Sequence, residues 1–234
     1  MKKSALLSLV LLGIIININA YNKKDLLQSK TNPEDLKTQL VDREKWIPFP
    51  AYEDRKAWED LTAPVRDKII QKGEQALNHP WITVKATDYL AFDRNGDRNI
   101  MQDPFSANNR ALANLLLAEL AEGKGRFIDQ IANGIWHTCE ITSWALSAHL
   151  GREQSINTSL PLPHEHIIDL TAGDVGSLMA WTHHFLKDEL DKVSPRISKR
   201  LQDNIEKRIL SPYMERSDFW WQAFGATPET MVNN

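Results

Sequence analysis

The stretch Asn133-Gly134-Ile135-Trp136-His137-Thr138-Cys139-Glu140-Ile141-Thr142-Ser143-Trp144-Ala145-Leu146 decides how the chain is read. Ile128, Ile131, Ile135, Thr138, Ile141 and Ala145 recur at steps of three and four, the period of a helix with one apolar side. The spacing predicts one long helix from near Arg126 to Leu146. His137, Glu140 and Trp144 recur at the same steps and therefore fall on one face. An imidazole, a carboxylate and an indole on a shared face are costly to bury in a dry core. They either pair within a helical core or border a wet cleft, where they become candidate ligand contacts.

The neighbouring segments repeat this pattern. Asn108 to Glu122 carries Leu112, Leu115, Leu116 and Leu120 as a core stripe, with Glu119 beside it needing solvent or a partner. Gly123 and Gly125 close that helix, and the short turn to the next one predicts an antiparallel hairpin. Asp169 to Leu190 reads as a further long helix or a helix pair, with Val175, Leu178, Met179, Thr182 and Leu186 on its apolar side. Ser194 caps a further helix, Pro195 takes its first position, and the helix runs to Leu210 before Pro212 stops it. Its buried side is Ile197, Leu201, Ile205 and Ile209, and Arg196, Lys199, Arg200, Lys207 and Arg208 read as solvated surface. Nearer the N-terminus, Asn32 caps a short helix, and Thr62-Ala63-Pro64-Val65 opens another that ends at His79-Pro80. Thr83 to Phe92 alternates loosely, as an extended segment would. Successive helices with short turns predict an all-α chain: a bundle, a solenoid or an α/α toroid.

Residues 1–20 read as a signal peptide: Lys2 and Lys3, an apolar run from Ala5 to Ile16, and a polar exit ending at Ala20. The expected location is periplasmic or secreted, with no membrane contact once the signal is removed. Residues 21–234 then form one domain. Removing Lys2 and Lys3 lowers Lys+Arg from 28 to 26 against 31 Asp+Glu, which excludes the basic footprint of a nucleic-acid-binding protein. The single cysteine, Cys139, has no partner for an internal disulfide and reads as a buried small hydrophobe.

Two segments raise the question of metal. Asp93 to Asn99 places acids and amides at steps of two, as calcium loops do, but Arg98 stands where such a loop requires glycine and Pro104 where it requires an acid. A turn centred on Gly96 is expected instead. His164 and His166, with His149, form a conceivable zinc set, but the spacing alone does not bring them together. No metal and no cofactor are expected.

Trp136-His137-x-x-Glu140-x-x-Ser143-Trp144, followed by Ala148-His149 and a Pro-rich segment, resembles the N-terminal helical domain of heparinase II/III-like polysaccharide lyases. The turn Phe92 to Arg98, the segment Asp169-Leu170-Thr171-Ala172-Gly173-Asp174, the run Glu206 to Tyr213 and the pair Asn233-Asn234 follow in the order seen in that family. The resemblance implies an incomplete α/α toroid built from antiparallel helical hairpins. It implies an acidic, uronate-containing polysaccharide as substrate and cleavage by β-elimination. Asn234 corresponds to the family's Asn that contacts the uronate carboxylate, and His137, Glu140 and Trp144 would border the substrate cleft. The family's catalytic Tyr and His lie beyond the matched stretch, and Tyr213 does not match that Tyr, so the chain reads as the front part of a lyase, inactive by itself. The residues themselves leave two alternatives open. One is a non-catalytic sugar-binding helical module, with Trp136, Trp144, Trp220 and Trp221 as stacking candidates. The other is a glycoside hydrolase on a similar toroid, which needs a second carboxylate opposite Glu140.

Overall fold

The computed structural model describes residues 30–42, 45–46, 49–150, 158–216, 219 and 221. The expected signal peptide, 1–20, and the expected carboxylate contact, Asn234, lie outside the described residues. All regular structure among the described residues is helical, so the chain is all-α. No helix there is long and apolar enough to cross a membrane. The chain divides into two compact units, Met1–Arg43 with Arg216–Asn234, and Glu44–Glu215.

In the first unit α1 (Pro33–Gln39) starts as its sequence predicts, with the Asn32 side chain accepting from the Glu34 amide at 3.1 Å. Elsewhere in that unit Phe219 stacks on Trp221, and the Arg216 guanidinium lies 4.3 Å from the Phe219 ring.

The second unit begins with α2 (Arg55–Thr62), α3 (Arg66–Ala76), α4 (Ala86–Asn95) and α5 (Asn99–Glu122). It continues with α6 (Ile128–Glu140), a single turn α7 (Ser147–Leu150), α8 (Leu170–Val193) and α9 (Pro195–Ile205). A π-helical turn (Glu206–Leu210) joins α9 to α10 (Ser211–Glu215). The leucine stripe of α5 is buried as its period requires, and α5 packs on α3 and α6. Helix α9 packs on both α8 and α6.

The end of α5 shows how the turn to α6 is secured. Gly123 adopts φ 66°, and a Cβ there would lie 2.2 Å from the Arg55 guanidinium. Arg55 donates to the Leu120 carbonyl and Arg66 to that of Ala121, so two cations meet the negative end of the helix. Glu119 is fully buried and finds partners, not solvent: it accepts from the Tyr52 hydroxyl at 2.7 Å and from the amides of Gly125 and Phe127. Burial first, and the Glu119 hydrogen bond second, push the Tyr52 phenol above its ordinary range.

Four expectations are corrected. Thr62 ends a helix where it was expected to open one: Asp54 caps α2 by accepting from Ala57, and the Thr62 hydroxyl bonds back to the Trp58 carbonyl. The Thr83 to Phe92 segment is mostly helix α4, because Asp88 accepts from the Lys85 amide at 2.8 Å and the helix buries Tyr89 and Ala91. Gly96 closes it at φ 76°, so the turn expected there is present. Pro212 does not stop the chain after Leu210. The preceding turn widens to π-helix, where the proline ring no longer meets an α-helical carbonyl, and the helix goes on to Glu215.

The fourth correction concerns the opening stretch. Helix α6 ends at Glu140, and Ile141 is extended. The Trp144 indole donates to the Thr138 carbonyl at 2.9 Å, and Arg208 donates to the carbonyls of Cys139 and Thr142. Side chains have thus taken acceptors that a continuing helix would use. Trp144 therefore lies beyond the helix and does not share a helical face with His137 and Glu140.

Candidate functional site

Ser194 caps α9, its side chain accepting from the Arg196 amide at 3.3 Å. Burial of Ile197 and Leu201 then turns Arg196, Lys199, Arg200 and Asp203 away from the core. The π-turn continues this cationic series with Lys207 and Arg208. Opposite stand Trp136 and Cys139 of α6, and Pro163, His164 and His166 of the segment before α8. Together they enclose an open groove of about 720 Å³.

Five cations on one groove repel one another unless some are paired, and the pairing is uneven. Arg200 lies 4.0 Å from the centre of the Trp136 ring and donates to Glu140 at 2.5 Å. Lys199 is paired with Asp203. Arg208 is mostly buried: it donates to Asn204, Thr142 and Cys139 and lies over the Trp144 ring. Desolvation lowers the Arg208 pKa, yet a guanidinium with three acceptors keeps its charge. Arg196 and Lys207 make no ion pair among the described residues. The groove thus combines structural arginines with cations open to an incoming anion. Trp136, 45% exposed, adds an aromatic surface of the kind that covers the apolar face of a sugar ring.

The three sequence candidates separate. Glu140 does not line the groove but is held on Arg200, which does, with its side chain 60% exposed. Trp144 is 2% exposed and supports Arg208 from below, a packing role. His137 belongs to another environment, between α6 and α5. There Asn108, buried, pairs with the Ile82 backbone through both ends of its amide: its Oδ1 accepts from the Ile82 N–H and its Nδ2 donates to the Ile82 carbonyl. That pairing orients the amide, so Nδ2 also donates to His137 Nε2 at 3.0 Å and Oδ1 accepts from His79 Nε2 at 2.8 Å. The Trp81 ring lies beside both imidazoles and against Gly134, where a Cβ would sit 2.4 Å from it. Burial lowers the His137 pKa, and His79 nearby adds to the effect.

The remaining candidates resolve simply. His149 donates through Nδ1 to Asp169 at 2.6 Å and meets Arg98 at Nε2, whereas His164 and His166 line the groove. Among the described residues no group of His, Cys, Asp and Glu could hold a metal ion. Burial pushes the Cys139 thiol up to about 11, so it stays protonated at neutral pH and is no nucleophile. The residues that sequence reasoning set aside as solvated surface, Arg196, Lys199, Arg200, Lys207 and Arg208, are the ones that converge. Arg196, Lys199 and Arg200, at steps of three and four on α9, carry part of the signal, and Lys207 and Arg208 follow on the π-turn, but only the presence of α6 opposite makes a groove of them. No protein-family model and no curated protein matches the chain.

Proposed function

We propose that the chain is the saccharide-holding helical part of an exported polysaccharide lyase of the heparinase II/III-like kind, acting on uronate-containing polysaccharide by β-elimination. The observation that supports this reading most is the cation-lined groove with Trp136 at its edge. Carboxylates spaced along a polymer suit Arg196 and Lys207, and an indole suits the ring between them. The finer architecture we propose is the incomplete α/α toroid of helical hairpins that the resemblance implies. β-Elimination removes a proton beside a carboxylate, and that proton becomes acidic enough only when the carboxylate charge is offset. The groove cations would supply this offset, together with Asn234 as the resemblance suggests. Glu140 and His137 would have indirect roles, the first by holding Arg200 and the second by anchoring α6. The matched residues include neither the family's catalytic Tyr nor its catalytic His, so the chain should hold saccharide without cleaving it.

Calorimetric titration with a uronate hexasaccharide tests this. Binding should weaken steeply with added salt and fall about tenfold in the Arg196→Ala, Lys207→Ala double variant. Ultraviolet absorbance of an unsaturated product should stay at background. Salt-independent binding that survives the double variant would refute the groove as the site, and product formation at an ordinary enzymatic rate would place the chemistry within this chain.

A further inference from the structure

The sequence contains two Asn-Gly pairs, Asn95-Gly96 and Asn133-Gly134. In such a pair the backbone nitrogen of the glycine can attack the side-chain carbonyl carbon of the asparagine, because a residue without Cβ lets the two groups approach. Both asparagines are exposed, so solvent access does not separate them. Their glycines differ. Gly134 is buried in the middle of α6, its amide within the helical ladder and its Cα against the Trp81 ring. Gly96 follows the last residue of α4 at φ 76°, exposed, with open space where a Cβ would point. Its amide donates to the Phe92 carbonyl at 2.9 Å, a bond at the very end of the helix and so among the first to fray.

Asn95 is also prepared as an electrophile. Its Oδ1 accepts from the Asp97 amide at 2.9 Å. That bond folds the side chain back over the Gly96 peptide and places an N–H donor where negative charge develops when the carbonyl is attacked. We propose that Asn95-Gly96-Asp97 is a self-modifying site at which the folded protein deamidates, with water as the one co-reactant. The Gly96 nitrogen forms a bond to Cγ of Asn95 with its own electron pair. The C–N bond of the side-chain amide breaks, and ammonia leaves with that bond's electrons and the proton that Gly96 gives up. A five-membered succinimide remains. Water then adds to one of its two carbonyls and a ring C–N bond breaks. The product is aspartate at position 95 or, with the main chain lengthened by one methylene, isoaspartate. Either adds one negative charge to a turn that already carries Asp93 and Asp97. Isoaspartate also lengthens the joint between α4 and α5, where Asp93 holds the Ser159 amide at 2.9 Å. No residue of the cation-lined groove takes part, so the inference stands apart from the proposed function.

The test is peptide mapping by mass spectrometry on the full chain, held in warm, mildly alkaline buffer either folded or in urea. Deamidation replaces NH2 by OH and adds one mass unit. In urea the two pairs should react at rates within about twofold of each other, because neither keeps its helix. In the folded protein Asn95 should keep at least about a third of its urea rate, whereas Asn133 should slow at least about tenfold. Asn95→Gln should remove the mass gain from its peptide. Asp97→Pro, which has no amide hydrogen to donate, should slow Asn95 about threefold in the folded protein. Asn133 in the same sample reports on folding, since it stays slow only while α6 is intact. Slowing of Asn95 to the level of Asn133 would overturn the proposal, and so would fast reaction at both in the folded protein. An unchanged Asn95 rate in Asp97→Pro would overturn the part given to the Asp97 amide.

Discussion

His137 and Trp136 are consecutive residues of α6 with opposite fates. His137 enters a closed polar knot in which Asn108, His79 and the Ile82 backbone bond one another and little is left over. Trp136 faces a groove whose cations are only partly paired. The first arrangement fixes α6 against α5. The second keeps binding capacity open. Polar residues near a helix are evidence of function only where their partners run out, and on α6 that happens on the side of α9.

Breaking the knot should give the largest effect. Asn108→Ala strands the Ile82 amide and carbonyl and both imidazoles, and should cost roughly 3 kcal/mol of stability. A urea melt would show this, and saccharide binding by the remaining folded protein should be unchanged. Loss of binding without loss of stability would reverse the comparison.

Gly134→Ala attacks the same region through shape, because its Cβ meets the Trp81 ring at 2.4 Å. The expected cost is about 2 kcal/mol, again in the melt. A neutral result would mean that Trp81 moves aside freely.

The pH dependence should be smaller and is set by the knot. Burial holds His137 below its ordinary value of 6.5 against the opposing pull of the Ile82 backbone, with a smaller push from His79, and burial does the same to His183. The unfolded chain therefore takes up protons first on acidification. The stabilisation is complete above the unfolded pKa and is lost as pH falls through the folded ones. Urea midpoints should drop as pH falls below 6.5, and less so in His137→Gln. A midpoint that rose on acidification would contradict the neutral knot.

Glu140→Gln should do least. Its ion pair with Arg200 is exposed, so stability should change by less than about 0.5 kcal/mol. Freeing Arg200 should raise affinity for a uronate oligosaccharide about twofold. A marked fall in affinity would restore Glu140 as a direct ligand contact.

What was legible in the sequence was local. The leucine stripe of α5, the Asn32 and Ser194 caps and the glycine at the end of α5 each depend on residues a few positions apart. The end of α6 was not legible, because the groups that take its last carbonyls include Arg208, which arrives from a segment 69 residues away from Cys139. Nor was α2, whose buried Trp58 has Phe185 of α8 as an aromatic partner. The groove failed to appear for the same reason. Five cations along α9 and the π-turn after it look like a solvated face until Trp136 is placed across from them.

The π-helical turn at Glu206–Leu210 has a consequence for which insertions and deletions the chain tolerates. In an uninterrupted α-helix Arg208 would stand about 80° around the axis from Arg200. A wider turn winds less per residue and brings the two guanidiniums closer to one side. A π-turn is equivalent to one residue added within a helix, so losing that residue would leave the two arginines seven apart, about 20° around a plain α-helix and still on one side, whereas gaining one more would turn Arg208 about a further 100° and carry it off the carbonyls of Cys139 and Thr142. Here the loss of one residue is tolerated better than a gain.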